Sequence, residues 1–173
     1  MNDTLDLSGC ALGETSGGLA LSGQAAIRAA GIRMAGQARR ELLLFSHDLD
    51  AALYDGRAFL EEVHRVALRG HAVPVRILAL RAEPAIRKGH RLVEMARHLT
   101  SKIQIRRIPA DFNRHTEAYL LADGRGYVLR PLADVFEATA DFNAPLETRR
   151  LHDQFEHIWA LGEIHQELRR LYL

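Results

Sequence analysis

The chain has 173 residues, 47% hydrophobic and 26% charged, with a formal net charge of +1. That is one domain of ordinary size with enough apolar chain for a core, and it excludes both wholesale disorder and a global basic field. The single cysteine, Cys10, excludes an intrachain disulfide, and no run of roughly 18 apolar residues or charged-then-apolar start marks a membrane span or secretory signal. A cytoplasmic protein with no membrane partner is expected.

Residues 1–19 are rich in Gly, Ser, Thr and Asp and read as a flexible leader, so the domain is expected over 20–173. Ser22 is placed to cap a first helix over 23–39, whose apolar stripe is Ile27, Ala30, Met34 and Ala38. Arg39 and Arg40 fall in its last turn, where positive charge suits the helix dipole. Leu42-Leu43-Leu44-Phe45 is a short continuous apolar run, the pattern of a strand covered on both faces. It closes in the polar cluster Ser46, His47, Asp48 and Asp50.

A helix over 56–69 follows, with Phe59, Val63 and Val66 inward and Gly70 as its stop. Val73 to Leu80 is a second strand. Pro84 opens a third helix that buries Ile86, Val93 and Ala96, and Ile103 and Ile105 alternate in a third strand. Strand–helix alternation over 42–108 predicts a parallel sheet with right-handed crossovers.

The pattern then changes to Glu117–Leu121 and Gly126–Leu129 around Asp123-Gly124-Arg125, a hairpin signal. Val135 to Phe142 alternates as a further strand, with Phe136, Ala138, Ala140 and Phe142 on one side. Asn143 is placed to cap a last helix with Pro145 in its first turn, and Leu151, Phe155, Ile158 and Trp159 give that helix a heavy apolar face. This face is expected to pack on the sheet against Phe136, Ala138, Ala140 and Phe142, because exposed together it would exceed the apolar patch a monomer tolerates. Gly162 is the expected break before a segment holding Ile164, Leu168 and Leu171. The expected fold class is α/β: one domain, a mixed sheet with helices on both faces.

Motifs that carry chemistry are sparse. The nine histidines lack the tight spacing of paired metal ligands and read as solvated, so no metal is expected. Cys10 sits in the leader with no neighbouring base, and there is no nucleophile elbow and no glycine-rich phosphate loop. Of the 23 basic side chains only Lys88 and Lys102 are lysine. The arginine excess fits anion binding, and it also fits a GC-rich genome. Ser46, His47, Asp48 and Asp50 lie at the expected C-terminal end of the first parallel strand, the edge where ligands bind in such sheets; the same residue types also turn a chain.

The stretch Arg114-His115-Thr116-Glu117-Ala118-Tyr119-Leu120-Leu121-Ala122-Asp123-Gly124, after two strand–helix units, resembles the second part of a phospholipase D-like domain. That superfamily carries H-x-K-x4-D and a following Gly-Ser-x-Asn element; its histidine is the nucleophile and its lysine holds the phosphate. With Asp123 as anchor, the histidine position falls on Thr116 and the lysine position on Ala118. His115 is one residue off, which in a strand is the opposite face. Ala138-Thr139-Ala140-Asp141 echoes the second element farther downstream than usual. The chain is therefore similar to small bacterial phospholipase D-like domains with a degenerate motif. Threonine lacks the basic nitrogen, and alanine the charge, that the chemistry needs.

The resemblance implies a vestigial cleft formed by Ser46, His47, Asp48, Asp50, His115, Thr116, Asp123, Thr139 and Asp141, with no cofactor. Arg106, Arg107, Arg114, Arg125 and Arg130 crowd the degenerate strand in sequence and are candidate anion-binding residues. The main expectation is a non-catalytic interaction module working as a homodimer. The alternative is binding of a phosphate-bearing ligand or nucleic acid in the cleft. A second alternative is a divergent phosphodiesterase that uses His115 with Asp48 or His47.

Overall fold

A computed structural model describes residues 5–168. Its centre is an eight-stranded sheet: β1 (Leu19–Ser22), β2 (Leu42–Ser46), β3 (Val75–Ala79), β4 (Ile103–Arg107), β5 (Ala118–Ala122), β6 (Gly126–Arg130), β7 (Glu137–Asp141) and β8 (Glu163–Ile164). The spatial order is β1-β7-β6-β5-β2-β3-β4-β8. Strands β2, β3 and β4 are parallel, as the alternation of strand and helix predicts; every other pairing is antiparallel. The sheet is mixed because β5 enters antiparallel to β2, and the Asp123-Gly124 turn then folds β6 back against β5. Both residues adopt positive φ, 54° and 66°, the conformation a two-residue hairpin turn requires.

Alternation of side chains divides the core in two. Leu42, Leu44, Ile77, Leu120, Val128, Ala138 and Ala140 meet α1 (Gln24–Gln37), α2 (Ala51–Tyr54), α3 (Arg57–Arg69), α4 (Glu83–Arg87) and α5 (Arg91–His98). On the other face Leu43, Phe45, Leu78, Tyr119, Leu121 and Tyr127 meet one long helix, α6 (Pro145–Leu161), through Leu151, Phe155, Ile158 and Trp159. The expected docking of this helix on the sheet is observed, on a different surface. Phe142, Ala138 and Ala140 belong to the opposite core, with Phe136 packed beside them, because β7 points its apolar residues toward α1.

Several local expectations are corrected. The leader is packed from residue 5 onward: Leu7 and Cys10 are buried in the α1 face. Gln37 of α1 bridges it, donating to the Cys10 carbonyl at 2.8 Å and accepting from the Leu12 N–H at 2.8 Å. Ser22 does not cap α1. It belongs to β1 and donates to Glu137 Oε1 at 2.7 Å, so Gly23 stands at the cap position. α1 ends at Gln37, which places Arg39 and Arg40 beyond it.

The third helix is two, split at Gly89 (φ 70°), with His90 capping α5. Asn143 does not cap α6. Ala144 takes that position, and the Thr148 hydroxyl donates back to its carbonyl at 2.8 Å. Gly162 does end α6, after which β8 pairs with β4. Leu171 lies outside the described residues.

Candidate functional site

The cleft residues inferred from sequence do not converge. They divide between two edges of the sheet, because β5 and β7 run against β2. At the C-terminal edge of the parallel strands stand Ser46, His47, Asp48, Asp50, His115, Thr116 and Arg130. Asp123, Asp141 and Arg125 stand at the opposite edge, since Ala122 pairs with Leu42 and Tyr127 with Asp141. Thr139 lies within β7, opposite Leu129 and Ala20.

At the C-terminal edge the polar groups hold one another. The buried Ser46 hydroxyl accepts from the Leu49 N–H at 3.0 Å, which helps keep the turn at Leu49 (φ 64°). Arg130 is buried, donates to Asp50 Oδ2 at 2.6 Å, to the Val135 carbonyl at 3.2 Å and to the Ala133 carbonyl, and lies over the Phe136 ring. Thr116 donates to the Pro131 carbonyl at 3.1 Å. His115 packs against Phe45 and Phe112, and its Nδ1 lies 3.0 Å from Gln154 of α6. The displaced histidine thus faces α6; it precedes β5, so its direction is set by these contacts and not by strand alternation.

His47 is half-buried, and its Nε2 has no hydrogen-bond partner among the described residues. Burial pushes its pKa below the ordinary histidine value, and Arg81 acts in the same direction, against the His115 backbone, Asp48 and Asp134. The imidazole is therefore held toward its neutral form. His90 is buried too, against the expectation of solvated histidines; its Nε2 lies 2.8 Å from the Leu49 carbonyl.

The five arginines chosen from sequence do not form a patch. Arg106 lies over the Trp159 ring at 4.3 Å and donates to the Trp159 carbonyl. Arg130 is engaged as described. Arg107 and Arg114 are exposed near the C-terminal edge, and Arg125 is exposed at the other. Among the described residues no group of three or more His, Cys, Asp or Glu side chains could hold a metal ion.

A different basic cluster occupies the N-terminal edge of the parallel strands. Three adjoining depressions of about 660, 750 and 410 Å³ meet at Asp123. Their rims carry Arg39, Arg40, Arg69, Arg125 and Arg149, all exposed, and none of these guanidinium groups has an ion pair or hydrogen bond among the described residues. Arg65, on the same rim, is occupied by Glu62 and by the Ala35 and Ala38 carbonyls.

The nearby carboxylates form no ion pair with these five arginines among the described residues. Asp123 accepts from the backbone N–H groups of Arg39, Arg40 and Glu41 at 2.8, 2.8 and 2.9 Å. Asp141 accepts from the Gly17 and Asn143 N–H groups. Glu41 lies 3.6 Å from Arg76 and 3.4 Å from His152. Glu14 and Asp153 remain as exposed acids.

Sequence reasoning missed Arg69 and Arg149 and read Arg39 and Arg40 as helix-dipole partners. Strand order held the signal. Arg39 and Arg40 precede β2, Arg69 precedes β3, Arg125 sits in the hairpin antiparallel to β2, and Arg149 follows β7; all five must therefore reach the same edge.

No curated protein matches the chain. Among solved structures, the archaeal chromatin protein TrmBL2, whose structure is described as showing a novel mode of DNA binding, matches at TM-score 0.61 and 16% identity over 92% of this chain. The chain spans 58% of that protein's length. Nuc, a phospholipase D family member from Salmonella typhimurium, matches at TM-score 0.62 and 12% identity, covering 86% of this chain and 97% of Nuc. At these identities the likeness is one of fold. A family model described as "Domain of unknown function (DUF7931)" matches residues 23–171, so the chain belongs to that family.

Proposed function

We propose that this is a non-catalytic domain of phospholipase D-like fold that binds a phosphate-bearing polymer, nucleic acid, along the N-terminal edge of its parallel strands. The observation that carries the reading is the set of five exposed guanidinium groups around Asp123 that have no partner among the described residues. Arginine presents a planar fork that matches phosphate oxygens two at a time. A net charge near zero makes such a local concentration directional, since the field belongs to one edge and not to the whole surface. The fold likeness to a chromatin protein whose structure is described as showing a mode of DNA binding supports the same class of ligand. The alternative weighed from sequence therefore moves to the opposite edge from the vestigial cleft, where Asp50 and Arg130 neutralise one another.

The test is a titration of labelled oligonucleotides, single- and double-stranded, at low salt. Wild-type protein should bind, and Arg39→Glu/Arg40→Glu should weaken binding at least tenfold while the thermal transition is kept. A flat signal with wild-type protein overturns the proposal.

A second reading, an interaction module working as a homodimer, has its own support. Leu132 and Val135 are exposed apolar residues of the β6–β7 loop, beside Thr116 at the C-terminal edge. Light scattering at micromolar concentration that gives only monomer rejects it.

A further inference from the structure

Resting on that reading of the basic edge, we infer that its ligand is the backbone of a double-stranded nucleic acid, bound without sequence readout. The arginines do not follow a single rail. Arg69 ends α3 on one face of the sheet, Arg39 and Arg40 stand in the link between α1 and β2, Arg125 stands in the β5–β6 turn, and Arg149 rises from α6 on the other face. Layers packed about 10 Å apart place the outer members of this set roughly 20 Å from one another.

A duplex offers two phosphate rails on either side of a groove about 6 or 12 Å wide. Cations spread across three layers can reach both rails at once. An unpaired strand offers one rail, and proteins that hold it add aromatic side chains on which bases stack. Among the described residues the three depressions are lined by no Phe, Tyr or Trp. Their rings are imidazoles: His71, and His152, which lies 3.4 Å from Glu41 and 3.6 Å from Glu156.

Readout of bases is also disfavoured by shape. Major-groove readers insert a helix or a two-stranded ribbon. Here α1 and α3 end at this edge and α6 starts there, and the β5–β6 turn spans only Asp123 to Arg125, so the edge presents side chains above shallow hollows. Contacts to phosphate position a protein without carrying sequence information.

Counterion release makes the inference quantitative. Five phosphate contacts give a slope of about −4.5 in log K against log salt for duplex, and each arginine removed lowers its size by about 0.9. Fluorescence anisotropy is measured with a 20-base-pair duplex, the same 20-mer unpaired, a duplex of scrambled sequence, and vesicles containing phosphatidylserine. The probes are tested on wild-type protein and on Arg69→Ala/Arg149→Ala, which removes one cation from each face. The expected result is duplex binding at least tenfold tighter than the unpaired strand, equal for both duplex sequences, with a slope of about −4 to −5. In the double variant the slope should fall by about 2 and the duplex preference should shrink to within threefold.

Both substitutions are at exposed positions, and an unchanged thermal transition confirms the fold. Tighter binding of the unpaired strand, or a duplex preference unmoved by the double variant, overturns this inference and leaves the polyanion reading standing. Discrimination between the two duplexes by tenfold or more overturns the backbone-only mode. Vesicle binding without oligonucleotide binding, or no binding of any probe, overturns both readings.

Discussion

Asp50→Ala decides whether Arg130 is an internal ion or a ligand contact. Arg130 is 3% exposed and its partner's side chain 16%. Removing one member of a buried ion pair typically costs about 3–5 kcal/mol, because the other charge stays in a poor solvent. Two carbonyls and the Phe136 face still hold Arg130 after the substitution, and water reaches part of Asp50, so the lower end applies, about 3 kcal/mol. With a urea m-value of about 2 kcal/mol/M, the midpoint should fall by about 1.5 M at constant m. The double variant Asp50→Ala/Arg130→Met should be less destabilised than Asp50→Ala alone, because the stranded guanidinium is gone and an apolar stem replaces it beside Phe136. Equilibrium urea unfolding followed by circular dichroism reads both. A loss under about 1 kcal/mol for Asp50→Ala, or a double variant at least as destabilised as the sum of the single ones, refutes the structural role.

Two further outcomes follow from the cores. Trp159→Ala should cost about 3–5 kcal/mol, since it empties a stacked contact with Phe155 and removes the ring under Arg106 and Arg76; a loss below about 1 kcal/mol in denaturant unfolding would show that α6 is not part of the core. His47 makes stability depend on pH. Its folded pKa lies below the ordinary 6.5, so the unfolded chain binds the proton first. Its contribution is complete above pH 6.5 and declines as pH falls from there toward the folded value. The urea midpoint of wild-type protein should therefore drop more between pH 7.5 and 5.5 than that of His47→Gln, and equal drops would contradict the assignment.

Much of the architecture was legible because it rests on periodicity. The apolar run Leu42–Phe45 is continuous since both sheet faces are covered, and the strand–helix alternation over 42–108 compels a parallel arrangement. The same alternation in β7 correctly groups Phe136 with Ala138, Ala140 and Phe142. Which helix those residues meet is a different matter, set by which side of the sheet the chain crosses after Asp141. Periodicity within one strand carries no information about that side. The packed leader was illegible for a related reason. Its Gly- and Ser-rich turns look like solvated chain, and their order comes from Gln37 and Arg33, which lie more than 20 residues away and have no local signature.

The site was less legible than the fold because local sequence clustering was read as clustering in space. Arg106, Arg107, Arg114, Arg125 and Arg130 are neighbours along the chain, yet an antiparallel hairpin sends Arg125 and Arg130 to opposite ends of one strand. The arginines that do assemble come from four separate stretches joined only by strand direction.

Asp123 links the two readings of the chain. Of the three positions aligned with the phospholipase D-like motif, Thr116 makes one exposed hydrogen bond and Ala118 offers only a methyl group, whereas Asp123 holds three backbone N–H groups. Those groups belong to the link between α1 and β2, where the helix has ended and the strand has not begun, so without the carboxylate they would depend on solvent alone. Meeting this need also directs its oxygens at the backbone. A carboxylate already accepting three backbone N–H groups has less capacity left for the guanidinium groups around it. Arg39 and Arg40 are then fixed at the backbone by Asp123, and their guanidinium groups have no partner among the described residues. The residue that carries the resemblance to the phospholipase D-like motif is, in this fold, the one that orders the link between α1 and β2.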